Sequence, residues 1–260
     1  MLGSLAFFSL AHVGNPAGHR RYNEWHQLDH RPENLLLPAV AWGERWVRSP
    51  DCVQGDPQPL GDFHYLNMYW LREPVDESRR EWSALAERSF HWGRRADLEL
   101  CTRPMMGFFV PVRGESARRV RVSADALPMR PNRGVHVEIL RLADARSTAT
   151  MRWLDWYDRE RVPELLDSDG VAGVWAFADE GSFTTPRDLV TGSVDGSMRL
   201  HLTYLDGDPV EVAAPLGSVG AAGAPVEGTP EVLFAGVLRS ITPWEWDWFD
   251  EEIVAAEGMA

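Results

Sequence analysis

The chain has 260 residues, with 26 basic and 39 acidic side chains and a net charge of −13, and every basic residue is arginine. Without lysine there is no Schiff-base chemistry, and the phosphate-binding lysines of P-loop NTPases and protein kinases are missing. An acidic surface also repels nucleic acid and anionic membranes.

In chain order, Leu5 to His12 reads as a first strand, followed by a helical stretch through Trp25 and Leu35. Val40 to Arg48 and Phe63 to Leu71 carry the Val, Tyr, Phe and Trp content of strands. Glu77 to His91 has Trp82, Leu85, Ala86 and Phe90 on one side, the pattern of a helix. Met106 to Val112 is a fourth strand, and residues 114–133, rich in Arg, Pro and Gly, form a linker. The second half begins with a strand from Val135 to Leu142, a helix ending near Leu166, and strands at Val171 to Ala178 and Met198 to Leu205. The Pro- and Gly-rich stretch 206–230 has room only for a short helix near Val210 to Ala214 before a last strand, Val232 to Arg239. The tail from residue 242 alternates tryptophan with acids (Trp244, Trp246, Trp248) and reads as a docking segment over apolar surface. No apolar run approaches the ~18–20 residues that span a bilayer. The N-terminus lacks a basic leader, so the expected compartment is the cytoplasm. Two cysteines, Cys52 and Cys101, are too few for a disulfide framework.

An internal repeat organises these elements. At an offset of 131 residues, Trp25, Pro32, Glu33 and Leu35 recur as Trp156, Pro163, Glu164 and Leu166, and Val40-Ala41 recurs as Val171-Ala172. Each copy of the motif follows one strand and precedes two more. The first half therefore reads β-α-β-β-α-β, the ferredoxin-like order. The expected units are residues 1–113, the linker 114–133, residues 134–241 and the tail 242–260.

The motif, an aromatic pair, an acid, a histidine, a proline and a leucine after a first strand, resembles that of the dimeric α+β barrel superfamily, its EthD-like branch in particular. The matching residues are Trp25, His26, Asp29, His30, Pro32, Glu33 and Leu35; the second copy has Arg161 where the first has His30. The resemblance implies an α+β fold in which two ferredoxin-like βαββαβ repeats pack their antiparallel sheets face to face as a pseudo-dimeric barrel. It also implies a small-molecule pocket between helices and sheet. Such a superfamily holds cofactor-free monooxygenases, isomerases, cyclases, haem enzymes and members with no known activity, so fold alone narrows function weakly.

On a helix, Tyr22, Trp25, His26, Asp29, His30 and Glu33 fall within roughly 140° of arc. His30 is the expected acid/base, with His26 and Tyr22 beside it as catalytic partners, because an imidazole titrates near neutrality. His64, Asp29, Trp25, Phe8, Trp42 and Met68 are the expected substrate-binding residues, with Trp82 helping to exclude water. Arg161 is no base, and the second motif reads as structural. His26 and His30 at i, i+4 also fit metal ligation, but the intervening Glu of a zinc helix and a third ligand are missing, so no metal is expected. No G-x-G-x-x-G follows a strand, no histidine marks itself as a haem ligand, and no cofactor is expected. The expected function is a cofactor-independent enzyme that moves a proton next to the carbonyl of a small hydrophobic cyclic or aromatic molecule. The alternatives are a cofactor-free monooxygenase of an electron-rich phenol and a non-catalytic binding protein. The expected partners are the substrate and, for the pseudo-dimeric chain, a second copy of itself.

Overall fold

The computed structural model describes residues 2–53, 58–95, 100–182, 196–217, 224–225, 227–242, 244–251 and 254. The first half contains β1 (Leu5–Val13), α1 (Gly18–Trp25), a π-helical turn (His26–His30), α2 (Arg31–Leu35), β2 (Val40–Val47), β3 (Tyr65–Leu71), α3 (Val75–His91), the two-residue β4 (Cys101–Thr102) and β5 (Met106–Ser116). The second half contains β6 (Gly134–Arg141), α4 (Thr148–Trp156), a π-helical turn (Tyr157–Arg161), α5 (Val162–Asp167), β7 (Val171–Ser182), β8 (Met198–Leu205), α6 (Pro209–Ala213) and β9 (Glu231–Ser240). The two π turns sit at the same offset of 131 residues as the sequence motif.

The long strands close into one antiparallel ring, in the order β3-β2-β9-β6-β8-β7-β5-β1 with β1 returning to β3. The two seams between the halves differ. β5 and β7 pair along their length, from Gly107–Ser182 to Ser116–Gly173. β2 and β9 pair only at Trp46–Ser240 and Val47–Arg239. From sequence β5 ends at Val112 and β7 at Ala178. Both run longer because each is the other's partner, a pairing no local pattern encodes. Short 3₁₀ turns (Arg118–Val120 and Ala124–Met129) occupy the link between the halves. The tail's residues 243, 252, 253 and 255–260 lie outside the described part.

The lumen of the ring is solid. Phe8, Trp46, Met68, Trp70 and Phe109 of the first half meet Val137, Trp175, Phe177, Leu202 and Tyr204 of the second in one apolar cluster. The outer face of each sheet is covered by its own helices. In the first half Phe7, Tyr69 and Leu71 pack under Trp82 of α3, and Ala11, Val13 and Tyr65 pack under Tyr22 and Trp25 of α1. Strand neighbours face opposite sides, so Ala6, Phe8 and Leu10 of β1 and Leu66, Met68 and Trp70 of β3 fill the lumen while their odd-numbered neighbours meet the helices. Both faces are buried, and the apolar–polar alternation of a half-exposed sheet is absent: every residue of β3 is buried.

Candidate functional site

The polar residues of α1 and its π turn lie over the outer face of the first sheet. There, three polar residues form a cross-strand rung: Ser9 of β1 opposite Asn67 of β3, and Asn67 opposite Arg45 of β2. Ser9, Asn67 and Arg45 are all buried, Arg45 to 1% exposure. Above them sit Tyr22, Asn23, His26 and His30, also buried. The π turn adds a residue to one helical turn and so changes which side chains face the sheet; such turns recur at functional sites.

Arg45 ties helix to sheet. Its Nε donates to Asn67 Oδ1 (3.0 Å) and its Nη2 to Asn23 Oδ1 (3.1 Å). Asn23 Nδ2 donates in turn to the Tyr65 hydroxyl (2.8 Å). The guanidinium lies over the rings of Tyr22 and Tyr65, 5.7 Å from each centroid. No carboxylate pairs with it among the described residues. The acid on its own strand, Glu44, belongs to the opposite face by strand alternation. A buried, uncompensated cation is costly, and burial pushes Arg45 below its ordinary pKa.

Five polar atoms in this layer are buried with weak or no hydrogen bonding: Ser9 Oγ, His26 Nδ1 and Arg45 Nη1 have no partner, and Tyr22 OH and Tyr69 OH have only a loose approach to Asn67 and Asn34. Such atoms are rare in folded proteins and call for an explanation. Four of the five can donate, and one is a cation. Gly43 helps to place Tyr69: a Cβ there would come within 2.6 Å of the Tyr69 ring.

The histidines are set as neutral bases. Burial, followed by Arg45 and His30, holds His26 well below its ordinary pKa. Burial, followed by Arg95, Arg103 and Arg45, does the same to His30. The His30 ring stacks on Trp25 (4.7 Å, 8° between planes) and meets His26 edge-on at 4.9 Å. Asn34 Nδ2 lies 3.4 Å from His30 Nε2. Burial pushes the Tyr22 phenol up to about 12.

The expected residues divide. Tyr22, Trp25, His26 and His30 are brought together. Asp29 and Glu33 are not in the layer's centre; both pair with Arg94 at its edge. His64 is outside it, stacked on His12 (4.7 Å) and edge-on to His19 (4.7 Å). Phe8 and Met68 point into the lumen, across the sheet from His30, and Trp42 packs against the same lumen cluster. Trp82 is on the helix side, against Phe7 and Tyr69 (5.0 Å each). Arg45, Ser9, Asn23, Asn67 and Tyr69 were not anticipated. The signal was a lone Ser in LAFFSLAHV and a lone Asn in YLNMYWL, polar residues inside apolar strands.

The second half carries a different rung. Glu138 pairs with His201, and His201 with Ala176, so an acid replaces Ser9 and alanine replaces Arg45. Tyr157 stands where His26 does, 4.4 Å from the His201 ring. Arg161, in the place of His30, donates to the Leu216 and Gly217 carbonyls and pairs with Glu164. It closes a loop.

One group of metal-type ligands among the described residues, His12, Asp62 and His64, gathers its atoms within 4.8 Å. His64 Nδ1, however, accepts the Val13 N–H (3.1 Å). That places the ring proton on Nε2 and leaves no lone pair for a cation. Asp62 is paired with Arg48.

Comparison with known proteins finds likeness in structure only. No family model and no curated protein matches the chain. An anthrone oxidase-like protein superposes with a TM-score of 0.51 at 11% identity, covering 92% of each chain. A chlorite dismutase from Candidatus Nitrospira defluvii, solved as a mutant with cyanide, superposes with a TM-score of 0.53 at 10% identity, covering 96% of this chain and 94% of that one. At such identities the likeness is one of fold: the chain has the dimeric α+β barrel fold, with both ferredoxin-like units supplied by one polypeptide. Among the described residues no helix is long and apolar enough to cross a membrane.

Proposed function

We propose that the first repeat is an enzyme site in which neutral histidine moves a proton next to a carbonyl while Arg45 holds the oxygen that becomes negative. The observation that carries this reading is Arg45 itself, a buried guanidinium with no salt-bridge partner among the described residues and an Nη1 without a hydrogen bond. An oxyanion is the missing charge partner. Tyr22 and Tyr69 offer phenolic O–H donors to the same atom, and the apolar walls are Phe7, Trp25 and Trp82.

Charge balance explains the arrangement. His26 or His30 removes a proton from the carbon α to the carbonyl, and the electron pair moves to the carbonyl oxygen. An imidazolium beside four arginines is unfavourable in the empty site. The enolate formed in the same step sits on Arg45 and cancels part of that repulsion, so the base becomes strong only as the oxyanion appears. Return of the proton to another atom completes an isomerisation. The substrate is a small hydrophobic cyclic or aromatic ketone, and the chemistry described needs no cofactor.

Exchange of deuterium from D2O into the α-carbon of 2-tetralone, followed by mass spectrometry, tests this. The chain is expected to accelerate exchange, and His26→Gln with His30→Gln to lower the rate by about 10²–10⁴-fold. Absence of exchange into any cyclic ketone contradicts the reading. A second reading follows from the same guanidinium, because a phenolate suits Arg45 and its flanking tyrosine rings as well as an enolate does. On that reading the protein is a cofactor-free monooxygenase of an electron-rich phenol, and oxygen uptake with the phenol separates it from the first. Binding with neither exchange nor oxygen uptake leaves a binding protein without turnover.

A further inference from the structure

The cleft of about 580 Å³ beside the short β2–β9 seam is lined by Glu44, Trp46 and Trp248 among others, and by neither Arg45 nor His26 nor His30. The Arg45 layer lies under α1, and Phe249 packs in the apolar cluster that joins α1 to that sheet. We propose that residues 244–251, after β9, form a gate over the N-terminal end of α1, with Phe249 as its plug and His19 as its latch.

Phe249 is 3% exposed and belongs to the same apolar cluster as Tyr22, Trp25 and Tyr65. Its ring stacks on His19 with centroids 3.8 Å apart and planes 17° apart. The His19 Nδ1 meets the Tyr65 hydroxyl at 2.7 Å. Tyr65 is bonded to Asn23, and Asn23 to Arg45. The plug is thus joined to the guanidinium through three hydrogen bonds. Trp248 and Ile241 pack partly against the same cluster. Asp250 pairs with Arg20, both well exposed, and exposed pairs are weak. Trp244 is 69% exposed. Trp248 and Glu245 wall the cleft, so the segment has space on its far side to swing into.

The latch is acid-sensitive. His19 is held down to about 3, first by burial and then by His64 and His12, and His64 to about 4, first by burial and then by His12. Arg48 opposes and Asp62 favours the charge on His64. Tyr65 and Phe249 are the other neighbours. A histidine whose closed-state pKa is lowered stabilises closure above its ordinary value near 6.5. That stabilisation is lost as pH falls from 6.5 toward 4, by up to tenfold per pH unit for each histidine. The gate should loosen in mild acid.

Cys101 reports on the gate, because it packs against the Phe249 cluster. In a Cys52→Ala background, the rate of Cys101 labelling by 4,4′-dithiodipyridine is expected to rise at least tenfold in Phe249→Ala at pH 7.5. A smaller rise is expected in Asp250→Asn, which leaves the cluster intact. The ratio of Phe249→Ala to parent rates should shrink toward one at pH 5. Equal rates in parent and Phe249→Ala at pH 7.5 would overturn the gate. The gate gains its purpose from the proposed Arg45 site, but the labelling does not depend on it. If 4-nitrophenol fails to bind while labelling responds, the site reading falls and the gate stands. If it binds with an association rate unmoved by Phe249→Ala, the gate falls and the site stands.

Discussion

Arg45→Gln is expected to weaken binding of 4-nitrophenolate by at least about 30-fold while changing stability little. Truncating one partner of a buried charge pair costs about 2–5 kcal/mol of binding, and 2 kcal/mol corresponds to roughly 30-fold. In the empty protein two effects oppose. Removing an uncompensated buried cation relieves a desolvation cost of several kcal/mol. Asn23 Oδ1 then loses its donor, at about 1–3 kcal/mol. The balance should lie within about 2 kcal/mol of zero. Arg45→Lys keeps a charge but loses the fork that spans Asn67 and Asn23, and should fall between. Equilibrium dialysis and urea unfolding measure both quantities. A collapse in stability that accounts for the lost binding would make Arg45 a structural residue and remove the main support for the site.

Trp70→Ala is expected to cost about 3–5 kcal/mol and to lower Tm by roughly 6–20 °C for a chain of this size. Trp70 is fully buried in the lumen. Its ring lies 5.0 Å from Trp175 and 5.3 Å from Phe177, both of the second repeat. The loss should therefore appear as one cooperative transition, because the residue joins the halves. Two separate transitions, or a loss below about 1 kcal/mol, would mean that the lumen is not a shared core.

The 131-residue repeat made the tandem βαββαβ order legible, and helical spacing placed Tyr22, Trp25, His26 and His30 on one face. Two things were hidden. First, β1 and β3 are buried on both sides, so nothing in their composition says which residues face the lumen; Phe8 and Met68 were assigned to the site and belong to the other face. Second, the Ser9–Asn67–Arg45 rung joins residues from three strands. Its register depends on pairings across 58 and 22 residues of chain, which no local pattern encodes. In sequence Arg45 simply follows Glu44, and nothing local marks it as buried. Strand alternation sends the two to opposite faces, and among the described residues no acid forms a salt bridge with the arginine.

The Arg45 account is tested most directly by the ionisation of bound 4-nitrophenol, followed through its visible absorbance as pH is lowered. An opposite charge within a few ångströms lowers an acid's pKa by about 1–3 units. Bound to the chain, the phenol should ionise at least one unit below its free value, and the shift should vanish in Arg45→Gln. A bound phenol that ionises at or above its free value would contradict an oxyanion site at Arg45.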